Sequence, residues 1–218
     1  MDIEITPSPL RGIVSAIPSK SVAHRALICA ALADKPTRVV FEGESLDILA
    51  TAACITALGA DIRRGKGCYT VSPVSRDENT ETAFLPCGES GSTFRFILPV
   101  TGALGRTAAF MPEGRLPQRP LSPLYEELIS HGCELSPPGA TPFNISGKLS
   151  PGDYSLDAGV SSQFISGLLF ALPLLNGDSR ITLSGRFESF PYVELTTDML
   201  AVFGVKTVFD GKRKRRFG

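Results

Sequence analysis

Pro18-Ser19-Lys20-Ser21, Gly88-Glu89-Ser90-Gly91-Ser92 and Gly159-Val160-Ser161-Ser162-Gln163 are three Ser-rich turns, and each leads into an apolar run: Ala26 to Ala33, Phe94 to Val100 and Phe164 to Leu175. Their leading serines, Ser19, Ser90 and Ser161, are spaced 71 residues apart both times. A serine ahead of an apolar run signals a helix start, because its hydroxyl accepts from a backbone N–H that has no partner inside the helix. Each segment continues with a second amphipathic run, Leu46 to Leu58, Leu121 to Ser130 and Tyr192 to Phe203, followed by Gly59, Gly132 or Gly204. Glycine just past a helix is a stop signal, since it adopts the left-handed conformation without strain. Short alternating segments come next and predict strands: Ala60-Asp61-Ile62-Arg63, Cys133-Glu134-Leu135 and Val205-Lys206-Thr207-Val208.

The regular spacing predicts an α/β fold with internal pseudo-threefold symmetry. Three βαβαββ-like units of roughly 70 residues share one core, because a single unit cannot cover its own apolar helix faces. Helices are expected inside, with small sheets outside. The repeats fall at about 19–89, 90–160 and 161–218, with polar, Pro-rich turns between them at Ser72 to Thr80 and Ser136 to Pro142. Residues 1–18 are read as an N-terminal strand segment ahead of the repeats. A doubly wound sheet would explain the helix and strand alternation but not the spacing.

Composition narrows the function. The 218 residues are 43% apolar and 20% charged, ordinary for a globular chain, and their formal net charge is zero. Nothing global attracts a nucleic acid or an anionic membrane, so any anion binding must come from local groups. Cys29, Cys54, Cys68, Cys87 and Cys133 are odd in number and widely spaced, which suits reduced thiols and a cytoplasmic location. His24 and His131 are the only histidines and no Cys-x-x-Cys pair occurs, so no metal site is expected. Met1-Asp2-Ile3-Glu4-Ile5 alternates polar and apolar, unlike a secretory leader. The apolar stretch Phe164 to Leu175 contains Pro173 and is too short to span a bilayer. Lys212-Arg213-Lys214-Arg215-Arg216 reads as a solvated turn rather than a nucleic-acid contact.

The Ser-rich turns carry the chemistry. A helix N-terminus presents free N–H donors and partial positive charge, so it suits a phosphate or carboxylate. Taken singly, each serine is only a cap; three such ends in one pseudo-symmetric domain can converge on one pocket. Lys20 lies in the first turn, Arg25 follows one helical turn later, and Arg95 holds a comparable place in the second repeat. Gly88 and Gly91 permit close backbone approach. Arg115 and Arg119 bracket Pro117, a stiff mount for a guanidinium that grips an anion at two points. Asp47, Asp157 and Glu194 are the nearest acids, and no two of them form a working acid–base couple.

These same residues resemble the motifs of 5-enolpyruvylshikimate-3-phosphate synthases. Pro18-Ser19-Lys20-Ser21-Val22-Ala23-His24-Arg25-Ala26-Leu27 is similar to that family's opening signature, and Cys87 to Arg95 resembles its Gly-Asn-x-Gly-Thr-x-x-Arg block, with Glu89 in the place of Asn. Gln118-Arg119-Pro120, Ser161-Ser162-Gln163-Phe164 and Ser189-Phe190-Pro191-Tyr192-Val193-Glu194 match three further blocks in order. The resemblance implies transfer of the carboxyvinyl group of phosphoenolpyruvate to the 5-hydroxyl of shikimate 3-phosphate, with no metal or organic cofactor. It implies that Lys20, Gly91, Arg119 and Gln163 face phosphoenolpyruvate, Lys20 and Arg119 being catalytic. Lys20, Ser21, Arg25, Ser161, Ser162, Gln163, Ser189 and Tyr192 would hold shikimate 3-phosphate.

Family members have two similar domains, and the resemblance covers the first. It implies that residues 1–18 join partly to the other domain and that the acid–base carboxylates lie in a C-terminal half outside this sequence. The chain alone is then expected to be a monomeric half-enzyme without turnover. Two other readings are a UDP-N-acetylglucosamine enolpyruvyl transferase of the same fold, which Ser21 after Lys20 disfavours, and a non-catalytic phosphate-binding domain.

Overall fold

The computed structural model describes residues 19–41, 43–76, 81–185 and 189–210, together with 3, 4, 7, 9 and 11–13. Most of the N-terminal strand segment and the whole basic tail 212–216 therefore lie outside the described residues. The chain is built of six α-helices, one short 3-10 turn and nine strands among those residues.

The middle of the chain shows the unit in full. It runs β4 (Ala83–Gly88), α3 (Gly91–Ala103), β5 (Ala108–Pro112), α4 (Leu124–Ser130), β6 (Cys133–Leu135) and β7 (Phe143–Gly147). Its sheet has the order β4-β5-β7-β6, with β4 and β5 parallel and the other pairs antiparallel. The βαβαββ order expected from the sequence is this one.

The flanking units show parts of the same plan. After α1 (Lys20–Leu32) come β1 (Thr37–Val40), α2 (Leu46–Ala57), β2 (Asp61–Gly65) and β3 (Cys68–Ser72), paired antiparallel in the order β1-β3-β2. That order repeats β5-β7-β6. At the other end, β8 (Asp153–Asp157), α5 (Ser162–Ala171), β9 (Arg180–Ser184) and α6 (Phe190–Val202) give a parallel β8-β9 pair that repeats β4-β5.

Three sequence expectations need correction, the first being that Ser136 to Pro142 joins β6 to β7 inside the middle unit rather than lying between units. The first helices begin six, three and two residues earlier than the apolar runs, at Lys20, Gly91 and Ser162, because the Ser turns are single-residue caps and their following residues are already helical. Residues 205–208 form no strand, although α6 does end before Gly204 as expected. An isolated extended segment gains no ladder hydrogen bonds, and among the described residues none pairs with 205–208, whereas Cys133–Leu135 has β7 beside it.

Helices α3 and α5 pack together at the centre, and α1 packs on α2 and α6 beside them. Helix α3 buries every residue except Ser92 and Arg95, and both exceptions lie in its first two turns. Burying large side chains such as Phe96, Phe110, Phe143, Phe164 and Phe170 contributes roughly 1.5–3 kcal/mol each. Gly167 sets the spacing of α3 and α5, since a Cβ there would collide with the Arg95 carbonyl oxygen and lie 2.9 Å from Pro99 Cγ. The consequence is that the first turns of both helices end side by side.

Candidate functional site

Ser19, Ser90 and Ser161 are the N-caps of α1, α3 and α5, and each side chain accepts a backbone N–H, from Val22, Thr93 and Gln163 respectively. Ser45 caps α2 in the same way through Ile48, while Ser189 stands at the N-cap of α6 with no side-chain cap bond. Of these five helices only α2 carries an acid in its first turn, Asp47. The partial positive charges of the other four ends therefore have no first-turn carboxylate to offset them.

Three polar clusters, the second of them only part-buried, tie these ends together. In the first, Arg25 joins α1, α5 and α6. Its Nε donates to Thr196 Oγ1 at 2.8 Å, Nη1 to the Ser21 carbonyl at 2.8 Å, and Nη2 to Ser166 Oγ at 3.3 Å and the Tyr192 carbonyl at 3.0 Å. Burial pushes the guanidinium down to about 10 from 12.5. Four of its five N–H donors are thus engaged within the protein, leaving one on Nη1 beside Ser21. Ser21, Ser162 and Ser189 lie nearer the helix starts than these contacts, and their hydroxyls have no hydrogen-bond partner among the described residues. Tyr192 is half exposed.

In the second cluster, Arg95 Nη1 donates to Gln163 Oε1 at 2.6 Å, and Gln163 Nε2 donates to Ser92 Oγ at 2.9 Å, joining α3 to α5. Arg95 also donates to the Pro120 carbonyl at 2.9 Å and stacks over Phe164. Burial lowers the Arg95 guanidinium, and the neighbouring positive charge of Arg119 lowers it further. Arg119 reaches the start of α3: a Cβ built on Gly91 would sit 3.1 Å from its Nη1 and 3.8 Å from Arg95 Nη1. Among the described residues neither guanidinium has a carboxylate partner within 4.0 Å. Two adjacent unpaired cations at a helix N-terminus repel each other until an anion arrives.

In the third cluster, His24 Nδ1 lies 2.6 Å from Thr51 Oγ1, Thr51 lies 2.7 Å from Thr93 Oγ1, and Thr93 lies 2.7 Å from Ser90 Oγ. This chain of contacts binds α1, α2 and α3. Lys20, the first residue of α1, pairs closely with Asp47 of α2. Burial would raise the Asp47 carboxyl, but the hydrogen bond and charge of Lys20, with lesser help from His24 and Ser90, hold it below the ordinary carboxylate range. His24 is fully buried, and that burial pushes its imidazole down to about 4.

Of the residues singled out from the sequence for the site, Lys20, Ser21, Arg25, Gly91, Ser161, Ser162, Gln163, Ser189 and Tyr192 stand at the caps or in the first two turns of α1, α3, α5 and α6, and Arg119 lies in the loop before α4. Their environments differ: Lys20 and Arg119 are exposed, whereas Arg25 is 2% exposed and faces inward. Glu89, the acid beside the second Ser turn, lies over the backbone of Gly114 rather than on the guanidiniums. Sequence reasoning missed Thr51, Thr93, Ser166 and Thr196, which pin the helix starts together. Their signal was a hydroxyl within the first two turns of otherwise apolar helices. Among the described residues no group of three His, Cys, Asp or Glu side chains is placed to hold a metal.

The caps and first turns of α1, α2, α3, α5 and α6, linked by these polar contacts, belong to an α/β domain of repeated units. Residues 5–215 match the family model of EPSP synthase (3-phosphoshikimate 1-carboxyvinyltransferase), and the chain belongs to that family. It is 41% identical over 216 residues to the 3-phosphoshikimate 1-carboxyvinyltransferase of Clostridium kluyveri, covering 99% of this chain and 50% of that protein. With that of Clostridium perfringens strain 13 it shares 40% identity over 202 residues, 92% of this chain and 48% of the relative. The chain thus spans about half the length of the curated relatives it matches. An EPSP synthase structure from Acinetobacter baumannii superposes with a TM-score of 0.75 at 24% identity, over 92% of this chain and 45% of the other, which shows the fold.

Proposed function

We propose that the chain forms one half of a 3-phosphoshikimate 1-carboxyvinyltransferase in the shikimate pathway to aromatic amino acids. It binds the phosphate and ring of shikimate 3-phosphate at the starts of α1, α5 and α6, and phosphoenolpyruvate between Lys20, Gly91, Arg119 and Gln163. The observation that carries the reading is the pair Arg95 and Arg119 at the start of α3, cationic and without carboxylate partners among the described residues. Ser21, Ser161, Ser162, Ser189 and Tyr192 stand at the caps and first turns of α1, α5 and α6, the three helices that Arg25 joins, and in this reading supply hydroxyls to a phosphate or sugar-like ring.

Both substrates are multiply charged anions. Fixed donors that offset their repulsion stabilise the charge that develops when the 5-hydroxyl oxygen adds to phosphoenolpyruvate, and they need no reorganisation at that moment. Proton transfer to the vinyl carbon and exclusion of water belong, in this reading, to the other half of a family-length protein. Repeats at about 19–89, 90–160 and 161–218, a first segment 1–18 that joins the other half, and a monomeric cytoplasmic protein complete the proposal. The 71-residue spacing of the caps supports the repeats, and the five free thiols support a reducing compartment.

Phosphate release from the two substrates tests this. The chain alone is expected to give none, and mixing it with the C-terminal half of the Clostridium kluyveri relative is expected to restore release. In that mixture Lys20→Ala and Arg119→Ala should each lower turnover by about two orders of magnitude or more, the scale for removing one positioned charge-stabilising donor. Robust release by the chain alone, or full activity with Lys20→Ala, contradicts the proposal.

A further inference from the structure

Asp47 is the one first-turn acid among the five helix starts, and it stands where an anion is expected to bind. Its placement is over-determined. Its backbone carbonyl lies 3.3 Å from Thr93 Oγ1, and Thr51, one turn further along α2, contacts the same Thr93 hydroxyl at 2.7 Å. Helix α2 is thereby docked on the first turn of α3. The carboxylate pairs with the Lys20 ammonium, on a helix docked against Thr93, whose hydroxyl lies 2.7 Å from the Ser90 Oγ that caps α3. Lys20 is otherwise a long, half-exposed side chain. Left free, such a chain would lose rotamer entropy on being fixed by a ligand.

We propose that Asp47 is a positioning residue: its carboxylate holds the Lys20 ammonium beside the capped start of α3 and acts on a bound phosphate ester only through Lys20. An ammonium has three donors, so Lys20 can keep Asp47 as one partner and present the others to an anion. The preorganisation of Lys20 outweighs the repulsion between Asp47 and the ligand, because the pair approaches the anion as a neutral unit with its donor end forward. This rests on the functional reading given above, which makes Lys20 a ligand of the phosphorylated substrate.

The test is a double-mutant cycle on the 218-residue chain, read by titration calorimetry with shikimate 3-phosphate. Asp47→Asn keeps the side-chain shape and removes the charge; Asp47→Ala removes both. Cooperative thermal unfolding of each variant confirms that it is folded. Asp47→Asn is expected to weaken binding about tenfold, Lys20→Ala at least as much, and the double variant to bind within about twofold of Lys20→Ala alone. A merely structural role for Asp47 would instead weaken binding by the same factor in both backgrounds. Additive losses, or unchanged or tighter binding by Asp47→Asn while Lys20→Ala is weakened, overturn the positioning role and leave the functional reading standing. Undiminished binding by Lys20→Ala, or no binding by the unmodified chain, overturns the functional reading and the proposal with it.

Discussion

Arg95 donates to Gln163 Oε1 at 2.6 Å, and this one bond fixes both the guanidinium on α3 and the orientation of the amide on α5. The amide's other end is then committed to Ser92. Replacing Gln163 separates two effects. Gln163→Ala removes the link and frees Arg95, while Gln163→Glu supplies a carboxylate that pairs with it. The Glu variant is expected to unfold at a temperature at or above that of the Ala variant, yet to bind phosphoenolpyruvate more weakly, because its carboxylate takes the anion's place. Thermal unfolding and calorimetry of the two variants check the opposite ordering.

Gly91 and Gly167 both lie in buried helices, and their neighbours differ in kind. At Gly91 the nearest atom is the end of a flexible side chain, Arg119 Nη1 at 3.1 Å, which can shift. At Gly167 it is the Arg95 backbone carbonyl, which cannot. Gly91→Ala should leave stability unchanged or raise it by up to about 1 kcal/mol from helix propensity, while weakening phosphoenolpyruvate binding through Arg119. Gly167→Ala should destabilise by about 1–3 kcal/mol or more, the range for overpacking a core. Denaturant unfolding of the two variants reads the difference.

Arg25 fastens α1 to α5 and α6. Arg25→Met would leave the Ser21 and Tyr192 carbonyls and the Ser166 and Thr196 hydroxyls without their donor. A loss of about 3 kcal/mol or more is expected, since each hydrogen bond to a charged group is worth about 1.5–3 kcal/mol. Equilibrium urea unfolding measures it, and a loss under 1 kcal/mol would mean that the cluster is not formed in solution.

His24 links stability to pH. Its imidazole is held neutral by burial, down to about 4 in the fold against 6.5 unfolded. The unfolded chain therefore takes up this proton first. The stability contribution is complete above about pH 6.5 and is lost as pH falls toward about 4, at up to about 1.4 kcal/mol per pH unit. His24→Asn, which keeps a side-chain group near Thr51, should flatten the slope between pH 6.5 and 5, above most carboxylate titrations. An unchanged slope in that variant would show that His24 is not the group responsible.

Much of the fold was legible because Ser19, Ser90 and Ser161 both mark their helices and recur at a fixed interval. Helix ends were read from Gly59 and Gly204 for the same local reason, a backbone conformation that glycine tolerates. What remained hidden depends on partners distant in sequence. Residues 205–208 carry a strand-like alternation, but a strand exists only beside another. Arg25 reads as an anion ligand one turn inside a helix, and nothing local reveals that Thr196, 171 residues away, accepts from it. The candidate site residues were named for their charge and by resemblance; the threonines and serine that pin their helices together, Thr51, Thr93, Ser166 and Thr196, look like ordinary helix hydroxyls until the helices are packed.

Titration calorimetry of the chain with shikimate 3-phosphate, against shikimate lacking the phosphate, tests most directly whether the converging helix starts are a phosphate-ester site. Binding of the phosphorylated ligand is expected, with no detectable heat from shikimate and loss of affinity at higher salt. Equal binding of the two ligands, or no binding of either by a chain that unfolds cooperatively, would contradict it.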